Sequence, residues 1–215
     1  IPYLPENYPK YLESLNIKCT VFNKLKIYNG IFMNNRDHRK ITVIDGKIAY
    51  TGGLNFSDEY INKQSRFGYW KDNAIKLEGD SVWNLTVMFL TLWNSYHKED
   101  DNYLKFKTPS NKTIEPNGYI SCYGSVPLNG ILEGEDVYLN IINKAINYVY
   151  ITTPYLIIDT DMINALILAV KRGVDVKIII PGIPDKKIVY ELTNSYAKNL
   201  VENGVKVYTY TPGFI

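Results

Sequence analysis

His38 and Lys40 open the run HRKITVIDGKIAYTGGLN, residues 38–55. Side chains two apart in an extended segment leave the same face, so this spacing sets an imidazole beside an ammonium. An ammonium there can hold a phosphoryl oxygen while the imidazole nitrogen attacks phosphorus. Its positive charge also disfavours the imidazolium and so keeps the nucleophilic nitrogen free. Gly52 and Gly53 let backbone approach a ligand with no Cβ in the way, and Asn55 adds a side-chain donor. Together these residues suit a phosphodiester. Each also has a plainer use: a structural histidine, a solvated lysine, an ordinary bulge or turn at the glycines. Asp45 is better explained by the turn between two alternating apolar runs than by chemistry, since Asp45-Gly46 is a two-residue hairpin signal.

The elements that position these residues can be read along the chain. NYPKYLESLNI (7–17) has helical spacing, and KCTVF (18–22) reads as a short strand. Residues 24–37 are polar and irregular. KITVI and KIAYT are the arms of the hairpin, DNAIKLEG (72–79) is a further strand, and DSVWNLTVMFLTLWNSYHKE, from Asp80, is an amphipathic helix. Its expected face carries Leu85, Met88, Phe89, Leu92 and Trp93, with Asp80 or Ser81 as cap. Beyond the polar, proline-bearing stretch 101–118 the pattern becomes strand–helix alternation. The strands are YISCYG (119–124), VYITTPYLII, VDVKIIIPG and VKVYTY, and the helices start at Glu135, Asp161 and Asp185. VKIII is apolar throughout, as expected of a parallel strand with helices on both faces. A faint repeat lays YLESLNIKCTVFN (11–23) over NLVENGVKVYTYT (199–211).

Composition narrows the classes. The 215 residues, 46% hydrophobic and 21% charged, are those of a globular protein large enough for a core. A net charge of +2 is too small to point to nucleic acid, and none is expected as partner. Cys19 and Cys122 form neither a metal spacing nor a disulfide framework, which favours a reducing compartment. There is no apolar run of about 18 residues and no signal peptide, so these residues read as a soluble piece without a transmembrane helix. Opening at Ile1, they read as part of a longer protein.

The run His38-x-Lys40-x4-Asp45-x6-Gly52-Gly53-x-Asn55 resembles the signature motif of the phospholipase D superfamily, and its wording, with RD before and FSDEYIN after, resembles the bacterial cardiolipin synthases. YWKDNAIKLEGDSVW resembles the segment after their first motif. YLNIINKAINYVYITTPYLIID, AVKRGVDVKIIIPGIPD and VKVYTYTPGFI resemble the stretch leading to their second. The resemblance implies an α/β, phospholipase D-like fold, with mixed and parallel sheets flanked by helices in two pseudo-symmetric lobes, the first incomplete. Residues 1–100 would be the C-terminal part of the first lobe with the motif, 101–118 a linker, and 119–215 a second lobe lacking its own motif. It further implies a site completed by one histidine from each of two motifs. One histidine attacks phosphorus to give a phosphatidyl-histidine, the other protonates the leaving glycerol, and a second phosphatidylglycerol resolves the intermediate to cardiolipin. His38, Lys40 and Asp45 would be the catalytic set, and Gly52, Gly53 and Asn55 the phosphate-binding set. Asp72, by its position on the following strand, would orient the histidine, the alternative being a strand-edge aspartate paired with Lys71. No metal and no cofactor are implied, since lysines and backbone donors can stabilise the phosphoryl charge.

Other residues carry less. His97 suits a helix C-terminus, and Asp159, Asp161 and Asp185 suit helix caps as well as ligands. The tryptophans and most tyrosines read as packing, with acyl-chain contact by a few as the alternative. Only the first motif is present, so the chain alone is expected to be inactive unless two copies pair. Its partners in the full-length protein would be phosphatidylglycerol and an anionic membrane surface, at the cell membrane, through segments absent here. Two rival readings stand beside this one: a single-motif dimeric phosphodiesterase or nuclease of the same superfamily, and a non-catalytic domain that binds head groups.

Overall fold

The computed structural model describes residues 4–23, 37–97, 102–109, 118–125 and 132–215. In chain order its elements are α1 (Tyr8–Ser14), β1 (Ile41–Ile44), β2 (Ile48–Gly52), β3 (Tyr69–Trp70), β4 (Ala74–Glu78), α2 (Val82–Asn94), a 3₁₀ turn (Tyr103–Phe106), α3 (Glu133–Lys144), β5 (Tyr148–Thr152), α4 (Thr160–Lys171), β6 (Asp175–Pro181), α5 (Lys187–Glu202), β7 (Lys206–Tyr210) and β8 (Gly213–Phe214). They fall into two units, Ile1–Gly52 with Ile75–Tyr123, and Gly53–Ala74 with Gly124–Ile215. Of the polar segments read from the sequence, residues 24–36, including Arg36, and linker residues 101 and 110–117 lie outside the described residues.

The first unit is built on the Asp-Gly hairpin. β1 and β2 pair antiparallel with Ile41 opposite Thr51 and Ile44 opposite Ile48. Asp45 and Gly46 both adopt positive φ, 54° and 64°, and the Lys47 amide donates to the Ile44 carbonyl at 3.0 Å. That is the primed turn whose twist matches paired strands, although the ladder closes at Ile48 rather than Lys47. β4 joins on the far side of β2, giving the order β1-β2-β4. Alternation puts Ile41, Val43, Ala49 and Leu77 on one face, where Val82 and Leu85 of α2 cover them. The buried stripe of α2 is Val82, Leu85, Thr86 and Leu90, and Phe89 is exposed. The expected stripe was rotated because this helix is apolar around most of its girth, so periodicity alone left several faces open. Ser81 precedes it but makes no side-chain cap.

Two expected strands are not formed. Residues 18–22 and 119–124 have no strand structure. Neither is in a ladder, and an extended segment without a hydrogen-bonded neighbour gains nothing from β-propensity. The 11–23 and 199–211 segments therefore share a helix end but not a strand.

The second unit alternates as its sequence implies. β5, β6 and β7 form a parallel sheet in that order, with Val149 opposite Val176 and Ile178 opposite Val207. Val149, Val176, Ile178 and Ile180 face a core completed by Ile142, Leu166, Ala169 and Leu200 from α3, α4 and α5. Asp159 caps α4, accepting the Met162 amide at 2.8 Å. The opposite sheet face carries Tyr148, Tyr150, Lys177 and Tyr208 and stays accessible, so among the described residues helices cover one face, not the expected two.

On that face the Asp175 carboxylate accepts from the Tyr150 hydroxyl at 2.8 Å and pairs with Lys177 and Lys206 at 2.8 and 2.7 Å. Hydrogen bonds from Lys177, Lys206 and Tyr150 hold its carboxyl well below the usual 3.8. A folded value below the unfolded one means that the cluster's contribution is complete above pH 3.8 and fades as pH falls through the lowered value. A carbon-detected NMR titration should find Asp175 still ionised where free aspartate is half-protonated, and Lys206→Met should raise its midpoint. An unshifted midpoint in the parent chain would mean the cluster does not persist in solution.

Candidate active site

In the first unit, the four residues before β1 carry the proposed nucleophile. Arg39 folds onto Asp37, its backbone amide and Nε both donating to Oδ1 at 2.9 Å and a terminal guanidinium nitrogen to Oδ2 at 2.8 Å. Burial raises the Asp37 carboxyl, but the Arg39 hydrogen bonds and the charges of Arg39 and Lys40 outweigh it, and the net shift is downward. This bidentate clamp closes a tight loop around His38, which it leaves exposed. The Lys40 ammonium turns back and donates to the His38 carbonyl at 2.6 Å. His38 and Lys40 precede the strand instead of lying in it, and the contact between them runs from the Lys40 ammonium to the His38 backbone carbonyl.

Asp45 occupies the hairpin turn. Its carbonyl accepts from Thr108 Oγ1 at 2.7 Å, and its side chain is exposed. The four residues of β1 separate it from Lys40, on the order of 16 Å of extended chain. Gly52 ends β2, one residue beyond Thr51, and Lys40 lies one residue before its partner Ile41.

Gly53, Asn55 and Asp72 belong to the second unit. The Gly53 amide donates to the Asn73 carbonyl at 3.2 Å, and a Cβ on Gly53 would overlap the Asp72 carboxylate. The glycine admits a carboxylate where a phosphate approach was anticipated. Asp72 Oδ1 also accepts the Asn73 amide at 2.8 Å. Asn55 Nδ2 donates to the Tyr60 hydroxyl at 2.5 Å, so its amide is engaged within the protein. Burial pushes the Tyr60 phenol up; the Asn55 bond opposes this, and the charges of Asp72, Glu59 and Asp185 add to it.

Sequence reasoning passed over Tyr60 and Tyr155 and left Asp185 as a cap or a ligand. The Tyr155 hydroxyl donates to Asp185 Oδ2 at 2.5 Å, while Asp185 Oδ1 is buried and has no partner among the described residues. Burial, then the Asp185 bond and charge, drive the Tyr155 phenol far upward. Tyr155 and Asp185 follow the carboxyl ends of β5 and β6, the edge at which open parallel sheets bind ligands. The only local signal was Tyr155 after Thr-Thr-Pro at a strand end.

What brings Gly53–Ala74 to this edge is β3. Tyr69 and Trp70 run parallel to Gly213 and Phe214 of β8, and the Tyr69 and Lys71 amides donate to Pro212 and Phe214 carbonyls at 2.8 and 2.9 Å. Trp70 lies between Tyr60 and Phe214, each ring centroid 4.4 Å away. Asn62 pins Trp70 through its backbone on both sides, at 2.7 and 3.0 Å.

Three further candidates remain, His97, Asp159 and Asp161. His97 stacks on Trp93 and hydrogen-bonds Thr20. Glu135, Asp159 and Asp161 have carboxylate oxygens within 4.8 Å of one another. Asp159 is already a helix cap, and Glu135 is raised because it hydrogen-bonds Asp159.

Comparison with known proteins adds the family. Residues 138–215 match the family described as cardiolipin synthase, PLD-like domain. The chain is 49% identical to an uncharacterised protein of Streptococcus mutans over 97% of its own length and 45% of the relative's. It is 35% identical to a cardiolipin synthase of Halalkalibacterium halodurans over 99% of this chain and 42% of that one. With cardiolipin synthase 1 of Staphylococcus aureus the identity is 41%, over 90% and 39%. The chain therefore spans less than half the length of these relatives. Among solved structures, a polyphosphate kinase of Porphyromonas gingivalis aligns over 75% of this chain and 27% of its own at 10% identity, with a TM-score of 0.29, too loose to bear on the fold.

Proposed function

We propose, from its similarity to the phospholipase D-like cardiolipin synthases, that this chain is the part of a phosphatidyltransferase that supplies the first of two catalytic histidines. The observation that carries this reading is the exposed His38 with the Lys40 ammonium held 2.6 Å from its own carbonyl. The His38 imidazole attacks the phosphorus of phosphatidylglycerol. An N–P bond forms, the P–O bond to the terminal glycerol breaks, and the glycerol oxygen takes a proton from a second histidine outside these residues. A hydroxyl of another phosphatidylglycerol then attacks phosphorus, gives its proton to that second histidine and restores His38, leaving cardiolipin and one glycerol. Lys40, released from the His38 carbonyl, binds a non-bridging oxygen on which charge accumulates. Asp45 serves by setting the hairpin that presents residues 37–40. Phosphatidylglycerol and an anionic membrane surface are the partners this reading implies.

The test is made on the full-length protein with phosphatidylglycerol vesicles. Cardiolipin and glycerol should appear in equal amounts, and labelled glycerol should exchange into phosphatidylglycerol, as ping-pong transfer requires. The 215 residues alone should form cardiolipin at least about a thousandfold more slowly. Release of phosphatidic acid with no exchange would make the protein a hydrolase and reject the transfer.

A further inference from the structure

Within the second unit two phenols stand at the ends of one aromatic wall. The Trp70 ring centroid lies 4.4 Å from that of Tyr60 and 4.4 Å from that of Phe214, and Tyr155 meets Phe214 edge-on at 6.3 Å. Tyr155 and Asp185 set this wall beyond the carboxyl ends of β5 and β6, where open parallel sheets bind ligands. Both phenols are partly exposed. Their hydrogen bonds prepare them for opposite tasks. Asn55 Nδ2 donates to the Tyr60 oxygen at 2.5 Å, which uses a lone pair and leaves the Tyr60 proton to give. Tyr155 gives its proton to Asp185 Oδ2 at 2.5 Å, which leaves the Tyr155 oxygen to accept. Among the described residues nothing else bonds either hydroxyl. Burial raises both phenols first, so both stay protonated at neutral pH. The charges that add to the rise of Tyr60, from Asp72, Glu59 and Asp185, are all negative. At Tyr60 that setting favours an uncharged hydroxyl over a phosphate oxygen.

We propose that Tyr60 and Tyr155 form a polyol-reading pair: Tyr60 donates to one hydroxyl of a glycerol unit and the adjacent hydroxyl donates to Tyr155, with Trp70 and Phe214 as the apolar wall. Asn55 and Asp185 are positioning residues that fix which phenol gives and which receives. Glycerol as the polyol rests on the transferase reading, in which it is both the alcohol released and the end of the lipid head group. The pairing of donor with acceptor rests on the hydrogen bonds alone. An alcohol with a single hydroxyl satisfies only one of the two phenols, so the pair discriminates against it.

The 215-residue chain, carrying isotope-labelled tyrosine, is titrated with glycerol, glycerophosphoglycerol and n-propanol while the Tyr60 and Tyr155 ring signals are followed by NMR. Both signals should move and saturate with a glycerol compound and not with n-propanol over the same range. A response to glycerol alone marks the released alcohol as the ligand. A response to glycerophosphoglycerol marks the lipid-borne head group. Signals that ignore both glycerol compounds overturn the proposal. In the full-length protein, phosphatidylglycerol vesicles then receive labelled glycerol and n-propanol together, and the ratio of the two transfer products is read. That ratio does not depend on how much enzyme is folded, so a variant that only loses stability leaves it unchanged. Tyr60→Phe and Tyr155→Phe should each shift it about tenfold toward n-propanol, the effect of losing one hydrogen bond. A parent-like ratio in either variant overturns the pairing. A parent that transfers to neither alcohol rejects the transferase reading instead, and the titration decides the polyol site by itself.

Discussion

His38→Ala in the full-length protein should lower phosphatidyl transfer by about 10⁴-fold or more, because no other group on this segment can form the covalent bond to phosphorus. The described structure leaves little for the substitution to disturb: His38 is exposed, and the loop around it is held by the Asp37–Arg39 clamp and by the Lys40 bond to a backbone carbonyl, which alanine retains. Stability should therefore be unchanged within about 0.5 kcal/mol. Labelled substrate should leave an acid-labile phosphoryl adduct on the quenched parent and none on this variant. A companion variant separates attack from positioning. Arg39→Ala removes the clamp but not the nucleophile, and should lower the rate about tenfold to a hundredfold while the adduct still forms. If His38→Ala kept a tenth of the activity, the nucleophile would lie elsewhere.

Gly213→Ala should be the most damaging single-methyl change in the second unit. A Cβ at Gly213 would press into the Tyr69 carbonyl oxygen and amide nitrogen and toward the Phe67 carbonyl, all backbone atoms that no side-chain rotation can move aside. The strain can be relieved only by parting β8 from β3, with loss of the amide bonds from Tyr69 and Lys71 and of the stacking between Trp70 and Phe214. A destabilisation of about 3 kcal/mol is expected, at the upper end of overpacking costs. It should be read as a lowered urea midpoint and as faster hydrogen exchange at Tyr69 and Lys71. Exchange at parent rates would show that β3 does not depend on β8.

Much of this was legible along the chain, and the reason is range. The Asp45-Gly46 turn depends on two residues that tolerate positive φ, and the apolar runs beside it on a period of two; neither needs a distant partner. The β5–α4–β6–α5–β7 alternation is likewise written in short windows, and Asp159 capping α4 lies at the head of its own helix. His38 and Lys40 stood out by residue type and spacing, while the clamp of Arg39 on Asp37 that closes the loop around His38 was not read. Strands proposed at 18–22 and 119–124 failed because a strand exists only with a neighbour, and propensity does not name one. The α2 face was misplaced because a helix apolar on most sides takes its buried stripe from what it packs against.

By itself, the sequence determined the Asp45-Gly46 hairpin and the alternation of the parallel unit, both set by interactions between residues close in the chain. Tertiary structure alone decided that Gly53–Ala74 joins the second unit, that Gly53 makes room for Asp72, and that Tyr155 finds Asp185. Two-residue strands such as Tyr69–Trp70 and Gly213–Phe214 have no periodicity to read. Their pairing is selected by ring packing and backbone hydrogen bonds between residues far apart in the chain, which become neighbours only once the sheet has formed.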